Sequence, residues 1–205
     1  LREKRGDDVL KINQVMTAQA PDGGAYIAWE DSRNGADNHD IFVQHIAPDG
    51  SVHWQPGGIA VATAPGDQSV PKLLPRDDGV LVGWNDRRNG REENLYMQYL
   101  DKAGTSHWKS GGQALCLARK SQSSLKFIPG TKDTCFAIWT DSRNLYASGF
   151  DLYMQKIDGT GNSLWSTNGS PLTSAKGYQT AAQILPRQDG GFVVTWMDER
   201  DAYYN

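Results

Sequence analysis

The feature that most constrains this chain is a hexapeptide that will not stay single. "WEDSRN" at Trp29 returns as "WNDRRN" at Trp84, as "WTDSRN" at Trp139 and as "WMDERD" at Trp196, a period of about 55 residues. A second element follows each of the first three copies: "DIFVQHI" at Asp40, "NLYMQYL" at Asn94 and "DLYMQKI" at Asp151. A third follows again, "DGSVHWQPGG", "AGTSHWKSGG" and "GNSLWSTNG", with tryptophans at 54, 108 and 165. All seven tryptophans therefore fall in repeated elements. Such self-similarity marks a repeat architecture, in which each unit buries its faces against its neighbours.

Each unit divides into four short apolar segments. In the second they are "VPKLLP", "VLVGWND", "NLYMQYL" and "QALCLA", joined by "RDDG", "RRNGREE" and a Gly-rich turn. Segments of this length, rich in Val, Leu, Tyr and Trp and bounded by Gly, Asp and Asn, read as strands. None shows a helical period with caps. The strands "AYIAW", "VLVGW", "CFAIW" and "FVVTW" are nearly continuous apolar runs. A strand with one wet face would alternate, so both faces of each should be covered. Four-stranded sheets stacked face to face are the blades of a β-propeller. The expected fold is therefore all-β, a propeller-like array of four-stranded antiparallel blades, with a β-sandwich ranked second. The repeats run over about 9–65, 66–118, 119–174 and an incomplete 175–205, about 3.7 units in a single domain.

Strand geometry gives the motif a structural task. Side chains at i, i+2 and i+4 share a face. Trp29, Asp31 and Arg33 should therefore project together, as should Trp84, Asp86 and Arg88, Trp139, Asp141 and Arg143, and Trp196, Asp198 and Arg200. The indole would be buried between blades, the carboxylate would accept N–H bonds in the following loop, and the guanidinium would fork onto a carboxylate or carbonyls. Gln44, Gln98 and Gln155 sit among apolar neighbours and need backbone partners. Residues that recur in every unit serve a need of every unit, so these positions read as framework.

Composition excludes more than it selects. A net charge of −3 offers no nucleic-acid surface. No apolar run approaches the roughly 18 residues of a membrane-crossing helix, so direct membrane insertion is not expected. "LREKRGDDVL" has no apolar core of a secretory leader. Cys116 and Cys135 replace apolar residues of the repeat, so two buried thiols are favoured over a disulfide. "NGS" at Asn168 matches a glycosylation sequon. The fourth unit stops where its third strand should begin, so the chain reads as a portion of a longer propeller, with a four-bladed ring closed by an unusual strand exchange and an oligomer completing the ring as the alternatives. Open blade edges would then pair with remaining repeats or with other chains.

The pattern W-x-D-x-R-N, D-[IL]-[FY]-x-Q, then a glycine turn and Trp resembles the tandem repeats of large secreted or surface-attached bacterial proteins. That resemblance covers nearly the whole chain. It implies a propeller-like fold and an extracellular or cell-surface location, and no particular activity. The turn "DGSVHW" is more weakly similar to the Asp-box hairpin of sialidase-like propellers, from which it departs where Asp49 adjoins Gly50 directly.

Function should lie where the repeats differ, in rim loops. The loop after the W-x-D-x-R strand carries Asp37, Asn38 and His39 in the first unit, Arg91, Glu92 and Glu93 in the second, and Tyr146 and Phe150 in the third. Asp37 and Asp40 are oxygen ligands of the kind calcium takes, although the alternating spacing of a calcium loop is missing; a solvated turn is the competing reading. Tyr146 and Phe150 could stack on a sugar or cover a blade edge. No catalytic constellation, transition-metal motif or cofactor motif is present. The leading expectation is a non-enzymatic binding or scaffold module presenting its rim to a glycan or a protein. A propeller-type glycoside hydrolase or lyase, with motif arginines lining a central acidic-substrate site, is the alternative. The third is an assembly protein that pairs through open edges.

Overall fold

A computed structural model describes residues 12–35 and 38–200. They form an all-β array of stacked antiparallel sheets. The first blade comprises β1 (Ile12–Gln19), β2 (Ala25–Asp31), β3 (Asp40–Ile46) and β4 (Ile59–Ala62). The second comprises β5 (Gln68–Arg76), β6 (Gly79–Asp86), β7 (Asn94–Asp101) and β8 (Gln113–Cys116). The third comprises β9 (Gln122–Pro129), β10 (Cys135–Asp141), β11 (Asp151–Ile157) and β12 (Ser170–Thr173). The fourth contributes two strands, β13 (Gln179–Pro186) and β14 (Phe192–Asp198). Neighbours in sequence are neighbours in each sheet, as tight turns between apolar segments require. The first strand of each blade touches the first strand of the next, so β1, β5, β9 and β13 converge on the inside.

Three apolar cores lie between the blades. Tyr26, Ala28 and Val43 of the first blade meet Val82 and Trp84 of the second. Leu81 and Met97 of the second meet Ala137 and Trp139 of the third. Ile138 and Met154 of the third meet Ala182 and Ile184 of the fourth. The motif tryptophans Trp84 and Trp139 each look back towards the preceding blade. Trp84 and Trp139 are sealed, whereas Trp196 is 36% exposed, because β14 has no described third and fourth strands beside it.

The continuous apolar runs predict four strands covered on both faces, and two behave so. β6 and β10 are buried along their whole length. β2 alternates between half-buried and buried residues, and β14 is largely exposed. The physical reason is position: only the middle blades have a described neighbour on each side.

The tryptophans of the third element fasten the outside. Trp54 donates from Nε1 to the Lys102 carbonyl of the next blade at 2.9 Å. It lies so close to the turn there that a Cβ on Gly104 would stand 3.1 Å from its ring. Gly161 receives Trp108 in the same way. Trp165, which would need the corresponding turn of a fourth blade, is 38% exposed.

Cys116 and Cys135 are free thiols, both buried in the core between the second and third blades. Burial pushes each up to about 11. Both are expected to resist alkylation at pH 8 in the folded protein and to react once urea opens it; ready labelling of the native protein would contradict a closed interface between these blades.

Candidate functional site

The repeated motif is a closed unit. In the second blade, Asp86 is completely buried and accepts from Trp84 Nε1 at 2.8 Å, from the Arg88 backbone N–H at 2.9 Å and from Arg88 Nε at 2.8 Å. Arg88 also donates to the Gly111 carbonyl at 2.7 Å and lies 4.0 Å over the Tyr96 ring. Arg143 repeats this with Asp141, the Asn168 carbonyl and Tyr153. Arg33 pairs with Asp31 and covers Phe42, and Arg200 pairs with the half-open Asp198. Burial opposes ionisation of Asp31, but bonds from Arg33 and Trp29 outweigh it and hold the carboxyl below the usual carboxylate range. Each arginine is thus tied to the aspartate of its own blade, Arg143 reaching Cys116 of the second blade as well at 3.4 Å, and the four do not line a common site.

The conserved geometry extends to the glutamines. Gln98 donates to the Lys109 carbonyl and accepts from the backbone N–H groups of Tyr99 and Trp108. Gln44 and Gln155 make the same three bonds. The amide oxygen takes two N–H groups and the nitrogen gives one bond where the side chain pins the turn carrying the third-element tryptophan.

The variable loops contain more framework than their sequences suggest. Asn34 donates to Asp40 at 2.6 Å, and Asn144 to Asp151 at 3.2 Å, closing the loop across its base. Asn38 adds a second amide to Asp40 at 3.1 Å; burial pushes the Asp40 carboxyl above its ordinary range. Asp37 lies outside the described residues. Among the described residues no group of three acidic, histidine or cysteine side chains gathers as a cation would require.

His39, Glu93 and Phe150 occupy one structural position. Their carbonyls accept the N–H of Gln68, Gln122 and Gln179 at 2.8, 2.9 and 2.8 Å, tying each blade to the next. Their side chains reinforce the clasp differently. His39 meets Asp67 at 3.1 Å, Glu93 holds Asn85 and Arg87, and Phe150 packs on Tyr178. Glu92 accepts from the Lys120 backbone N–H, and Arg91 is exposed. Tyr146 is 89% exposed, with the Lys120 ammonium 5.5 Å above its ring. Of these loop residues Glu93 lines a cavity at the inner strands, and the others spread along the rim.

Convergence occurs on the inner strands. Each carries a bulge at the same position: Gln14, Val70, Ser124 and Ala181 all have positive φ, between 45° and 57°. The pairing slips there in every blade. A bulge re-aims the side chains beyond it. Where β1, β5 and β9 meet, a cavity of about 550 Å³ is walled by Met16, Val70 and Leu125, with Lys72, Lys126, Asn85, Glu93, Ser123 and Ser124 as its polar part. Lys72 and Lys126 are the same repeat position in consecutive blades. Lys126 reaches the next inner strand and donates to the Ala182 carbonyl and to Gln183 Oε1, each at 2.7 Å. Lys72 makes no corresponding bond to Leu125 and has no hydrogen-bond or ion-pair partner among the described residues. Burial, and then the charge of Lys126, hold its ammonium below the usual lysine range.

Asn85, 3% exposed, completes the wall. Its Nδ2 donates to Glu93 at 2.9 Å and to the Gln122 carbonyl at 3.2 Å, while its Oδ1 is buried without a partner. In the first blade the same position is Glu30, whose Oε1 accepts from the Val70 N–H at 2.8 Å. A larger cavity, about 740 Å³, lies at the turns of the second and third blades, where Arg76 and Lys132 are interspersed with Asp77, Asp78 and Asp133. It takes in Leu74 to Arg76 at the end of β5 and Pro129 at the end of β9, together with the turns that follow them.

Sequence reading missed Lys72, Lys126 and Asn85. The one available signal was the recurrence of lysine in "VPKLLP" and "SLKFIP", at equivalent positions of two repeats.

No family model matches the chain, and no curated protein matches it in sequence. Solved structures do resemble it. An endo-arabinase from Bacteroides thetaiotaomicron superposes with a TM-score of 0.58 at 10% identity, over 94% of this chain and 73% of the other. An α-L-arabinofuranosidase from Lactobacillus brevis gives 0.54 at 12% identity, over 90% and 64%. A Penicillium chrysogenum α-L-arabinanase, solved with arabinobiose, gives 0.54 at 14% identity, over 89% and 58%. These values show a shared propeller fold. The chain spans under two thirds of the length of the latter two.

Proposed function

We propose that this chain acts on polysaccharide, as a propeller of the glycoside hydrolase kind, and takes the sugar in the inner-strand cavity. The observation that carries this reading is the cavity itself. Apolar surface from Met16, Val70 and Leu125 stands beside polar groups with unused bonding capacity, Lys72 and Asn85 Oδ1. Sugars need that mixture, with apolar walls for ring faces and fixed donors and acceptors for hydroxyls. The neighbours add weight to hydrolysis: the three structures above are named as arabinan- or arabinoside-cleaving enzymes, and a further one as a family-43 glycoside hydrolase. An extracellular or cell-surface location belongs to the same proposal, since polymeric glycans lie outside the cell.

Binding without cleavage is the second reading. It is favoured by Glu93, the carboxylate at the cavity, whose two oxygens are held by Asn85 and Arg87. One experiment separates the two. The protein is incubated with arabinan, xylan and pectic polymers, while binding is followed by calorimetry and new reducing ends are counted. Saturable binding with release of reducing ends is the expected result. Binding alone would favour the second reading, and neither would end both. Asn85→Leu removes the buried acceptor and is expected to weaken sugar binding about tenfold, the worth of one well-placed hydrogen bond.

A further inference from the structure

The charge of the inner cavity points to a narrower class of ligand. Lys72 is half-buried on β5 with no partner for its ammonium among the described residues. Its counterpart Lys126, on β9, shows what the position does when satisfied: it donates to the Ala182 carbonyl and to Gln183 on the next inner strand. Those two acceptors leave one ammonium N–H of Lys126 unused. The carboxylate among the cavity walls, Glu93, already faces the Arg87 guanidinium at 2.7 Å. Two cations thus line one cavity with no uncommitted anion beside them.

A half-buried ammonium without a counter-charge is costly, and an anion brought between two of them recovers a large interaction. Asn85 Oδ1, buried and unpartnered in the same wall, accepts but cannot donate, so it suits a hydroxyl group. A ligand that offers a carboxylate to the lysines and a hydroxyl to the amide satisfies all three groups at once. We propose that the cavity selects acidic glycans, chains bearing a uronate, by seating the uronate carboxylate on Lys72 and Lys126. This rests on the glycan reading above and specifies its substrate class. It departs from the arabinan-directed neighbours, whose named substrates are neutral sugars.

The test compares uronate-bearing oligosaccharides, galacturonate and glucuronate among them, with carboxyl-reduced forms of the same chains. Calorimetry at low and at physiological salt is expected to show the acidic form bound at least tenfold more tightly, with the margin shrinking as salt screens the lysines. Lys72→Gln should bring the ratio close to one, and Lys72→Arg should retain most of it. Far-ultraviolet circular dichroism confirms that each variant is folded. Equal binding of acidic and reduced chains by the native protein would overturn the inference and leave the glycan reading standing. So would a preference that Lys72→Gln and Lys126→Gln leave unchanged. Failure of every chain to bind would overturn both.

Discussion

Replacing Asp86 with alanine is expected to lower the unfolding free energy by about 3–5 kcal/mol, the cost of removing one partner from a buried ion pair. The carboxylate is the common acceptor of a set that has no substitute. Without it, the sealed Trp84 indole N–H is left unpaired, the Arg88 backbone N–H loses its acceptor, and the guanidinium loses its counter-charge while still held against Tyr96. The Gly111 carbonyl would remain as the hydrogen-bond acceptor of Arg88. A loss of this size is a large share of the roughly 5–15 kcal/mol that a natural domain has available. Urea unfolding measures it. The same substitution at Asp198 supplies the control. Its Arg200 partner is more than half exposed, so water replaces the bond and little change is expected. Equal losses at the two positions would show that the motif's worth does not depend on its burial between blades.

The second large effect is expected at Gly112. Its φ of +100° is one that side-chain-bearing residues rarely adopt, and a Cβ there would stand 2.5 Å from both Cη2 and Cζ2 of Trp84. The indole cannot withdraw, because it is enclosed by the core between the first two blades. The backbone contributes about 1–2 kcal/mol and the overlap a further 1–3 kcal/mol. Gly112→Ala should therefore destabilise by about 2–5 kcal/mol. Gly50 separates the two causes. Its φ is +85° but nothing lies within 4 Å of the position, so Gly50→Ala should show the backbone part alone. Thermal midpoints of the two variants, compared with the native protein, give the difference directly.

Both effects descend from features that can be read in the sequence. The 55-residue period identifies units that need one another, and the two-residue alternation of a strand places Trp84, Asp86 and Arg88 on one face. It follows that tryptophan and arginine can share one carboxylate, and the structure shows that they do. The need of Gln44, Gln98 and Gln155 for backbone partners follows from the apolar company they keep. These are local or strictly repeated relations, so one unit explains all.

The loops show a shared task that their side chains conceal. Differences among His39, Glu93 and Phe150 suggest a site, yet the three carbonyls make one and the same inter-blade bond. The main chain performs that task, so the side chain is free to vary without a change of role. Variation at a rim loop can thus record freedom and not recognition.

The sequence by itself determined the repeat, the four-stranded all-β unit and the framework role of its tryptophans, because hydrophobic periodicity and strand geometry act over a few residues. Only the tertiary structure decided which surfaces are sealed and where unused bonding capacity collects. The bulges at Val70 and Ser124 shift the strand register, so simple alternation cannot say which way Lys72 and Lys126 point. Asn85 and Lys72 belong to one blade and Lys126 to the next. What brings them around a single cavity is the convergence of inner strands, a consequence of stacking the blades and not of any one repeat.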